Sequence, residues 1–344
     1  MELYAYCLHF SGPVRFGATG IGLEETDLTL DSDGLTSAFL NALAVKEGPE
    51  AVAEFIRQVL AGNPPVIFSS LFPFGPDPLD HSQTAYVLPK PLSGPPTAPE
   101  TLRDFGKDLK KLNWLRPQDA ARWLASGSLT AEELQGILER SRDLARSRED
   151  DPESGWFAEE LRPRVALDRS HSGSALWACA ALRFAPGAGL YGLVALTQQW
   201  RETWLDTMHL LGGLGLGGER TYGFGEFVVS GPNPLGDEWE SLLTAPRERF
   251  LLLSAYFPAP EERPRLADCL EAWNFVERRG FIVTGRRATT LKRKRVRLLV
   301  PGSVLRRPLK GAYADVTPED YQALGLAHRV YRCGLAFTLP FYPG

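Results

Sequence analysis

The sequence predicts an α+β protein of two ferredoxin-like (RRM-like) domains, and three observations carry that expectation. The order strand–helix–strand–strand–helix–strand can be read roughly twice along the chain. Composition is that of a globular protein, 44% apolar and 23% charged, with enough apolar surface for two cores. A length of 344 residues suits about two domains at roughly 100–200 residues each. The first domain is expected over 1–230, a linker over 231–246 and the second domain over 247–344.

Hydrophobic spacing and punctuation place the elements. Residues 3–10, rich in Tyr, Leu and Phe and ended by Ser11-Gly12-Pro13, read as a first strand. Ser32-Asp33 offers an N-cap, and Leu35, Phe39, Ala42 and Leu43 then fall on one helical face. A second helix over 51–60 is stopped by Gly62 and Pro64-Pro65. The Pro-rich stretch 66–99 holds two short apolar runs, 66–74 and 85–88, and reads as a hairpin or long loop. Helical pieces follow over 100–112, 118–125 and 131–145, the last capped by Thr130 with Glu133 completing a capping box. Residues 146–160 read as a charged linker that closes an insertion of about 64–160 in the first domain. Strand patterns then occupy 164–168, 175–184 and 190–196. Residues 198–211 place Trp200, Trp204, Leu205 and Met208 on one side of a helix, and a glycine loop leads into a strand at 224–229. The second domain is expected to have strands at 250–257, 273–283, 296–300 and 331–339. A short helix is expected at 264–270, and another, capped by Thr317, at 318–324.

Several function classes receive no support. No apolar run reaches the ~18 residues of a membrane span. The start Met1-Glu2-Leu3-Tyr4 lacks the basic and apolar regions of a secretory leader, so a cytoplasmic protein without a membrane partner is expected. Cys7, Cys179, Cys269 and Cys333 are isolated in apolar runs and form no C-x-x-C pair, which fits free thiols and no metal site. His9, His81, His171, His209 and His328 are scattered, with no H-E-x-x-H. No cofactor is expected.

Charge, by contrast, is concentrated. Residues 278–314 hold no acid and twelve bases: Arg278, Arg279, Arg286, Arg287, Lys292, Arg293, Lys294, Arg295, Arg297, Arg306, Arg307 and Lys310. With those set aside, 26 of the chain's 38 basic residues face its 42 acidic ones, a formal −16. A positive segment on an acidic body attracts polyphosphates such as nucleic acid, or an acidic protein partner. Lys107, Lys110 and Lys111 share a helical face and, with Lys90, are expected to meet RNA or a neighbouring subunit.

The most informative run lies between 212 and 225, where seven glycines stand among Leu, Arg, Tyr and Phe. Glycine backbone approaches a ligand closely, and exposed N–H groups can cradle phosphate as a nest. There is no G-x-x-x-x-G-K-[ST], and the loop runs from helix to strand, opposite to a dinucleotide-binding turn. Arg220, Tyr222 and Phe224 occupy alternate positions, so an extended segment presents them on one face as a clamp, with Phe224 the one of the three expected to fall inward to the core. A carboxylate at Gly217 or Gly218 is expected to repel a phosphate there without unfolding the chain.

Gly-Leu-Gly-Gly-Glu-Arg-Thr-Tyr-Gly-Phe-Gly, 215–225, resembles the glycine-rich signature of the RAMP proteins of CRISPR systems. Within them the chain is similar, nearly end to end, to subunit four of the Csm complex, the type III-A effector. The blocks that carry this resemblance are 11–17, 31–39 and 69–74, Tyr86-Val87-Leu88-Pro89-Lys90-Pro91, 164–169, 302–304 and Tyr331-Arg332-Cys333-Gly334-Leu335-Ala336-Phe337. The resemblance implies two ferredoxin-like domains and a non-catalytic subunit that binds the repeat-derived 5′ tag of crRNA. It also implies a link between the large polymerase-like subunit and the backbone RAMP subunit. Its matching blocks and the basic segment point to Arg15, Ser37, Lys90, Arg169, Gly215, Gly217, Gly218, Arg220, Tyr222, Phe224 and Arg286 as RNA contacts. The rival is a RAMP endoribonuclease that processes precursor crRNA, which needs a general acid and base, with His9 or His81 the candidates. A protein-only scaffold is a third reading.

Overall fold

Alternation in the first strand sets the architecture of the N-terminal part. In β1 (Glu2–Phe10), Tyr4, Tyr6 and Leu8 point to one side and are buried. The computed structural model describes residues 1–17, 23–150, 155–167, 174–244, 248–283, 290–319, 321–322 and 328–341. Two helices follow β1, α1 (Ser32–Glu47) and α2 (Pro49–Leu60). Leu35, Phe39, Ala42 and Leu43, whose spacing predicts α1, are all fully buried. Next come β2 (Val66–Phe68), β3 (Phe72–Pro76) and β4 (Thr84–Tyr86), of which β3 and β4 form the expected hairpin.

Four short helices occupy the middle of the chain: α3 (Pro99–Asp104), α4 (Gly106–Lys111), α5 (Pro117–Leu124) and α6 (Ala131–Ser141). Then come β5 (Phe157–Leu167), β6 (Ser174–Phe184), β7 (Gly189–Leu196), α7 (Arg201–Leu214) and β8 (Phe227–Pro234). Antiparallel pairing makes one six-stranded sheet in the order β8-β1-β7-β3-β4, with β2 also on β7. β7 lies at its centre and is buried throughout, as its continuous apolar run requires. α1 and α7 pack on this sheet through Phe39 against Phe68, centroids 5.3 Å apart, and Trp204 against Tyr6, at 5.1 Å. Each such fully buried side chain contributes about 1.5–3 kcal/mol.

Several local expectations change. The strands at 66–76 belong to the central sheet, so the expected insertion begins inside it. The helix expected over 100–112 breaks at Phe105, whose φ of −94° and ψ of 7° end α3. The capping box at Thr130 and Glu133 is present as expected. The charged stretch 146–160 is partly strand, because β5 starts at Phe157 and pairs with β6 over their full length. The stretch 231–246 carries Trp239, which is fully buried against Tyr191 and Tyr86, so it packs where a free linker was expected. After it, α8 (Glu240–Thr244) packs on α5.

The C-terminal part contains β9 (Phe250–Leu252), α9 (Leu266–Cys269), β10 (Leu270–Ala272), β11 (Phe275–Arg278), β12 (Phe281–Val283) and β13 (Thr290–Lys292). It continues with β14 (Val296–Leu299), β15 (Val304–Leu305) and β16 (Thr338–Leu339). A four-stranded sheet runs β10-β15-β9-β16, and β11–β14 and β12–β13 form separate pairs. The strand expected over 273–283 is split at Arg279-Gly280, where Gly280 has a φ of 137°. Among the described residues, Pro318, Glu319, Tyr321 and Gln322 are not helical. Thr317 caps nothing there; its N–H donates to Asp315 at 3.0 Å and its hydroxyl receives the Val330 N–H at 2.9 Å. The fold is thus mixed α and β.

The two parts meet at the start of α1. Its N-cap is Asp31 and not Ser32-Asp33, because the Ser32 hydroxyl accepts the Ala255 N–H at 2.9 Å instead. The Ser70 N–H donates to the Leu253 carbonyl at 2.7 Å. Asp33, 1% exposed, binds Arg332 and lies 3.4 Å from the Arg278 Nε, while Arg278 also reaches Asp31. One apolar core runs through this joint, from Tyr6 and Leu35 to Leu253, Phe337 and Leu339.

Removing one partner of a buried ion pair strands the other, at a cost of about 3–5 kcal/mol. Asp33→Ala is therefore expected to lower unfolding free energy by roughly 3 kcal/mol, the low end because both arginines retain some solvent. Urea denaturation measures it; an unchanged midpoint would contradict a structural role for the pair. Burial pushes the Asp31 carboxyl up to about 6, with Asp33 and Asp27 reinforcing the rise and Arg278 opposing it. The folded state then keeps a proton between about pH 4 and 6 that the unfolded chain has released. Raising the pH through that window should cost the wild-type protein stability relative to Asp31→Asn. Urea midpoints of both proteins across a pH series check this, and a constant difference would oppose it.

Candidate nucleic-acid interface

The β5–β6 hairpin has two faces, set by the period-two alternation of its strands. Val165 pairs with Leu176, Pro163 with Ala178 and Leu161 with Ala180, which puts apolar residues on one face. Leu176 is 76% exposed, Leu161 63% and Val165 57%, so this face is open in the isolated chain. The opposite face pairs Arg164 with Trp177 and Arg162 with Cys179. It turns toward the glycine loop. The Arg164 guanidinium lies 4.2 Å from the centre of the Tyr222 ring and 3.6 Å from the Glu219 carboxylate. Arg162 lies 5.2 Å from the centre of the Phe224 ring. At the base, Arg183 and then Arg162 hold the Glu160 carboxyl below its usual range against the opposing effect of burial.

The loop begins later than its composition indicates, because α7 continues through Gly212 and Gly213 to Leu214. Its backbone is mostly committed to the protein. The N–H groups of Gly215, Leu216, Gly218, Tyr222, Gly223 and Gly225 all donate to carbonyls, including Gly218 to Arg15 at 2.8 Å and Gly225 to Pro13 at 2.8 Å. These six do not form the open phosphate nest expected from the sequence. The glycines serve close packing: a Cβ on Gly225, at a φ of 79°, would stand 2.0 Å from the Leu216 carbonyl oxygen. Gly217, at a φ of 96°, would place one 2.3 Å from the Arg15 oxygen. A carboxylate at 217 therefore disturbs the fold itself, contrary to the expectation, whereas Gly218 has room, its nearest neighbour the Arg15 side chain at 3.6 Å.

The expected clamp is rearranged. Arg220–Tyr222 is a single 3-10 turn and not extended, with the next residue, Gly223, left-handed. Arg220 and Tyr222 are exposed, but Phe224 is buried at 2% exposure. Tyr222 stays exposed with Arg164 over one face of its ring, while Phe224 is a packing residue under Arg162. Neither arginine was singled out as a contact from the sequence, although the alternation of Arg162 and Arg164 with Leu161, Pro163 and Val165 was there to be read.

Other expected contacts separate. The Arg15 side chain is buried beneath the loop and donates to the Glu25 carbonyl at 3.3 Å. The Ser37 hydroxyl donates back to the Asp33 carbonyl at 2.9 Å within α1. Lys90 Nζ donates to the Leu109 carbonyl at 2.7 Å, and burial lowers its pKa, so it fastens the insertion and does not project outward. Lys107, Lys110 and Lys111 are exposed on α4. Arg169 and Arg286 lie outside the described residues. Within the basic segment, Arg278 serves the joint at α1, Arg279 pairs with Glu277, and Arg293 donates to the Phe281 carbonyl at 2.8 Å. Lys292, Lys294, Arg295, Arg297, Arg306, Arg307 and Lys310 remain exposed.

Comparison with known proteins gives three concordant findings. Residues 245–341 match the model of the CRISPR Csm4 C-terminal domain. The CRISPR system Cms protein Csm4 of Thermococcus onnurineus is 26% identical over 309 residues, 90% of each chain. The protein of the same name from Mycobacterium tuberculosis is 27% identical over 313 residues, 90% of this chain and 89% of that one. Two solved structures share the fold. A chain of the Csm3-Csm4 subcomplex in the type III-A CRISPR-Cas interference complex aligns with a TM-score of 0.62, 16% identity and coverage of 99% of this chain and 100% of that one. A chain of the Csm1-Csm4 cassette in complex with pppApA aligns at 0.54, 21% identity, 99% and 98%.

Stacking on an aromatic side chain contributes roughly 1–3 kcal/mol per base by alanine substitution. Tyr222→Ala should weaken single-stranded RNA binding by that order with little change in salt dependence. Arg164→Ala should weaken it and reduce the log–log salt slope by roughly 0.7, the value for one phosphate contact. Gly218→Asp should weaken binding with a native melting curve. Fluorescence anisotropy across a salt series measures all three; wild-type affinity and slope in every variant would mean that this loop does not meet RNA.

Proposed function

On a chain that resembles Csm4 proteins over 90% of its length and carries their C-terminal domain at 245–341, we propose a non-catalytic, RNA-binding subunit of a type III-A CRISPR (Csm) interference complex. It binds the repeat-derived 5′ tag of crRNA and links the large polymerase-like subunit to the backbone RAMP subunit. The observation that carries the RNA assignment is the cationic and aromatic face of the β5–β6 hairpin set against the glycine loop. Arg164, Tyr222 and Arg220 offer a ring face and guanidinium groups together, the chemistry that suits splayed bases and phosphates of single-stranded RNA. The order β1, α1, β2/β3, β7, α7, β8 is that of a β-α-β-β-α-β unit and supports a ferredoxin-like N-terminal domain. The C-terminal domain is read as a second, more irregular copy.

The partner assignment rests on the fold shared with chains of a Csm1-Csm4 cassette and a Csm3-Csm4 subcomplex. The open apolar face of Leu161, Val165 and Leu176 gives a neighbouring subunit a surface to cover. A non-catalytic role is supported by the placement of the candidate acids and bases. His81 lies in an exposed turn, and His9 is hydrogen-bonded to Ser230 at 3.0 Å. Among the described residues, no group of three or more His, Cys, Asp or Glu is arranged to hold a metal ion, and no helix is long and apolar enough to cross a membrane.

Purifying the protein with its partners from its host and sequencing bound RNA from the 5′ end tests the assignment. A common short 5′ tag is the expected result, with no cleavage of added precursor crRNA. Mixed ends or no RNA would count against tag binding. Specific cleavage that disappears in His81→Ala would establish the processing enzyme in its place.

A further inference from the structure

The basic segment leads to a groove on the C-terminal part, apart from the hairpin and the glycine loop. The groove encloses about 1080 Å³ between β11, β14 and residues near Tyr256 and Tyr313. On its wall, Trp273 is 52% and Phe275 44% exposed, their ring centroids 6.5 Å apart with planes inclined by 30°. Two large aromatic rings left half open at the start of a short strand are costly in water unless something covers them. The β11–β14 register sets Phe275 opposite Leu299 and Glu277 opposite Arg297, which brings cations to the same wall. The Arg297 guanidinium lies 5.1 Å from the centre of the Phe275 ring, and Arg263 lies 5.5 Å from that of Phe257.

Charge on this wall is unbalanced. Glu277 alone faces Arg279 at 2.5 Å, Arg297 at 3.7 Å and Arg295 at 3.9 Å. Asp315, the other lining acid, is taken by Arg329 and Thr317. The side chains of Arg295 and Arg297 are 62% and 69% exposed. Arg295 also lines a neighbouring depression with Lys292, Arg293 and Lys294, beside Pro318 and a single acid, Glu319. A run of cations along 292–297 therefore enters a site with two accessible aromatic faces.

We propose that this groove is a second single-stranded RNA site, in which bases stack on Trp273 and Phe275 while Arg295, Arg297 and the lysines beside them hold phosphates. Charge complementarity and ring geometry together select this occupant. An acidic peptide satisfies the cations but leaves two flat ring faces without planar partners. Single-stranded RNA supplies both anions and π-faces at each nucleotide. The site goes beyond the tag assignment and involves different residues from the hairpin–loop interface.

The test uses the full-length protein and a fluorescein-labelled oligouridylate. Ultraviolet crosslinking of the wild-type protein followed by mass spectrometry should place crosslinks on the peptide containing Trp273 and Phe275. Trp273→Ala and Phe275→Ala should each weaken binding roughly five- to hundredfold with little change in salt slope. Arg295→Gln combined with Arg297→Gln should lower the slope by about 1.4, as for two phosphate contacts. The same measurements on an Arg164→Ala background separate the two sites. Loss on Phe275→Ala that persists there supports the groove even if Arg164→Ala itself has no effect and the tag assignment fails. Wild-type affinity in the aromatic variants with no crosslink at 273–275 would overturn the proposal. Loss of a co-purifying subunit at unchanged RNA affinity would also overturn it and make the groove a protein-docking face.

Discussion

A buried carboxylate holds the molecule's two parts in register. Asp33 sits in the first turn of α1, almost wholly shielded, and meets Arg278 from β11 and Arg332 from near the C-terminus. Taking a carboxylate out of water is expensive, and two guanidinium groups offset that cost only where the backbone delivers them together. The Ser32 hydroxyl and the Ser70 N–H add hydrogen bonds to residues 253–255 beside it. Because α1 also packs on the central sheet, the position of β11, and with it the aromatic groove, is tied to the N-terminal core. Arg278 illustrates how a residue from a basic segment can be diverted from an external ligand to an internal acid.

The glycine loop and the hairpin form one unit. Six of the loop's amides are spent on Leu211, Pro13, Arg15 and on the loop itself, and its glycines allow backbones to approach within distances no Cβ permits. What the loop presents outward is therefore side-chain chemistry, chiefly Tyr222 and Arg220. The hairpin brings Arg162 and Arg164 onto it from one face and leaves the other face apolar.

Much of the architecture was legible in the sequence because local signals there were strong and mutually consistent. The spacing of Leu35, Phe39, Ala42 and Leu43 marks a core helix, and Thr130 with Glu133 marks a helix start. Short segments with weak periodicity were less readable. The strands at 66–76 look like parts of a Pro-rich loop until β7 supplies their pairing partner, and Trp239 looks like part of a linker until Tyr191 and Tyr86 surround it. Thr317 has the form of a helix cap, but its hydrogen bonds go to Asp315 and Val330.

The sequence by itself determined the composition of the candidate interface: a glycine loop with Arg and Tyr, and a concentrated run of cations over 278–314. Only the tertiary structure decided which of those groups face outward. Lys90 and Arg278 carry charge as exposed cations do, yet one is turned to the Leu109 carbonyl and the other to Asp31 and Asp33. Phe224 and Tyr222 are both aromatic and two residues apart, but a 3-10 turn breaks their alternation and buries only Phe224. The physical reason is that residue type sets what a side chain can bind, whereas long-range packing sets whether the protein's own carbonyls, carboxylates and rings have already claimed it.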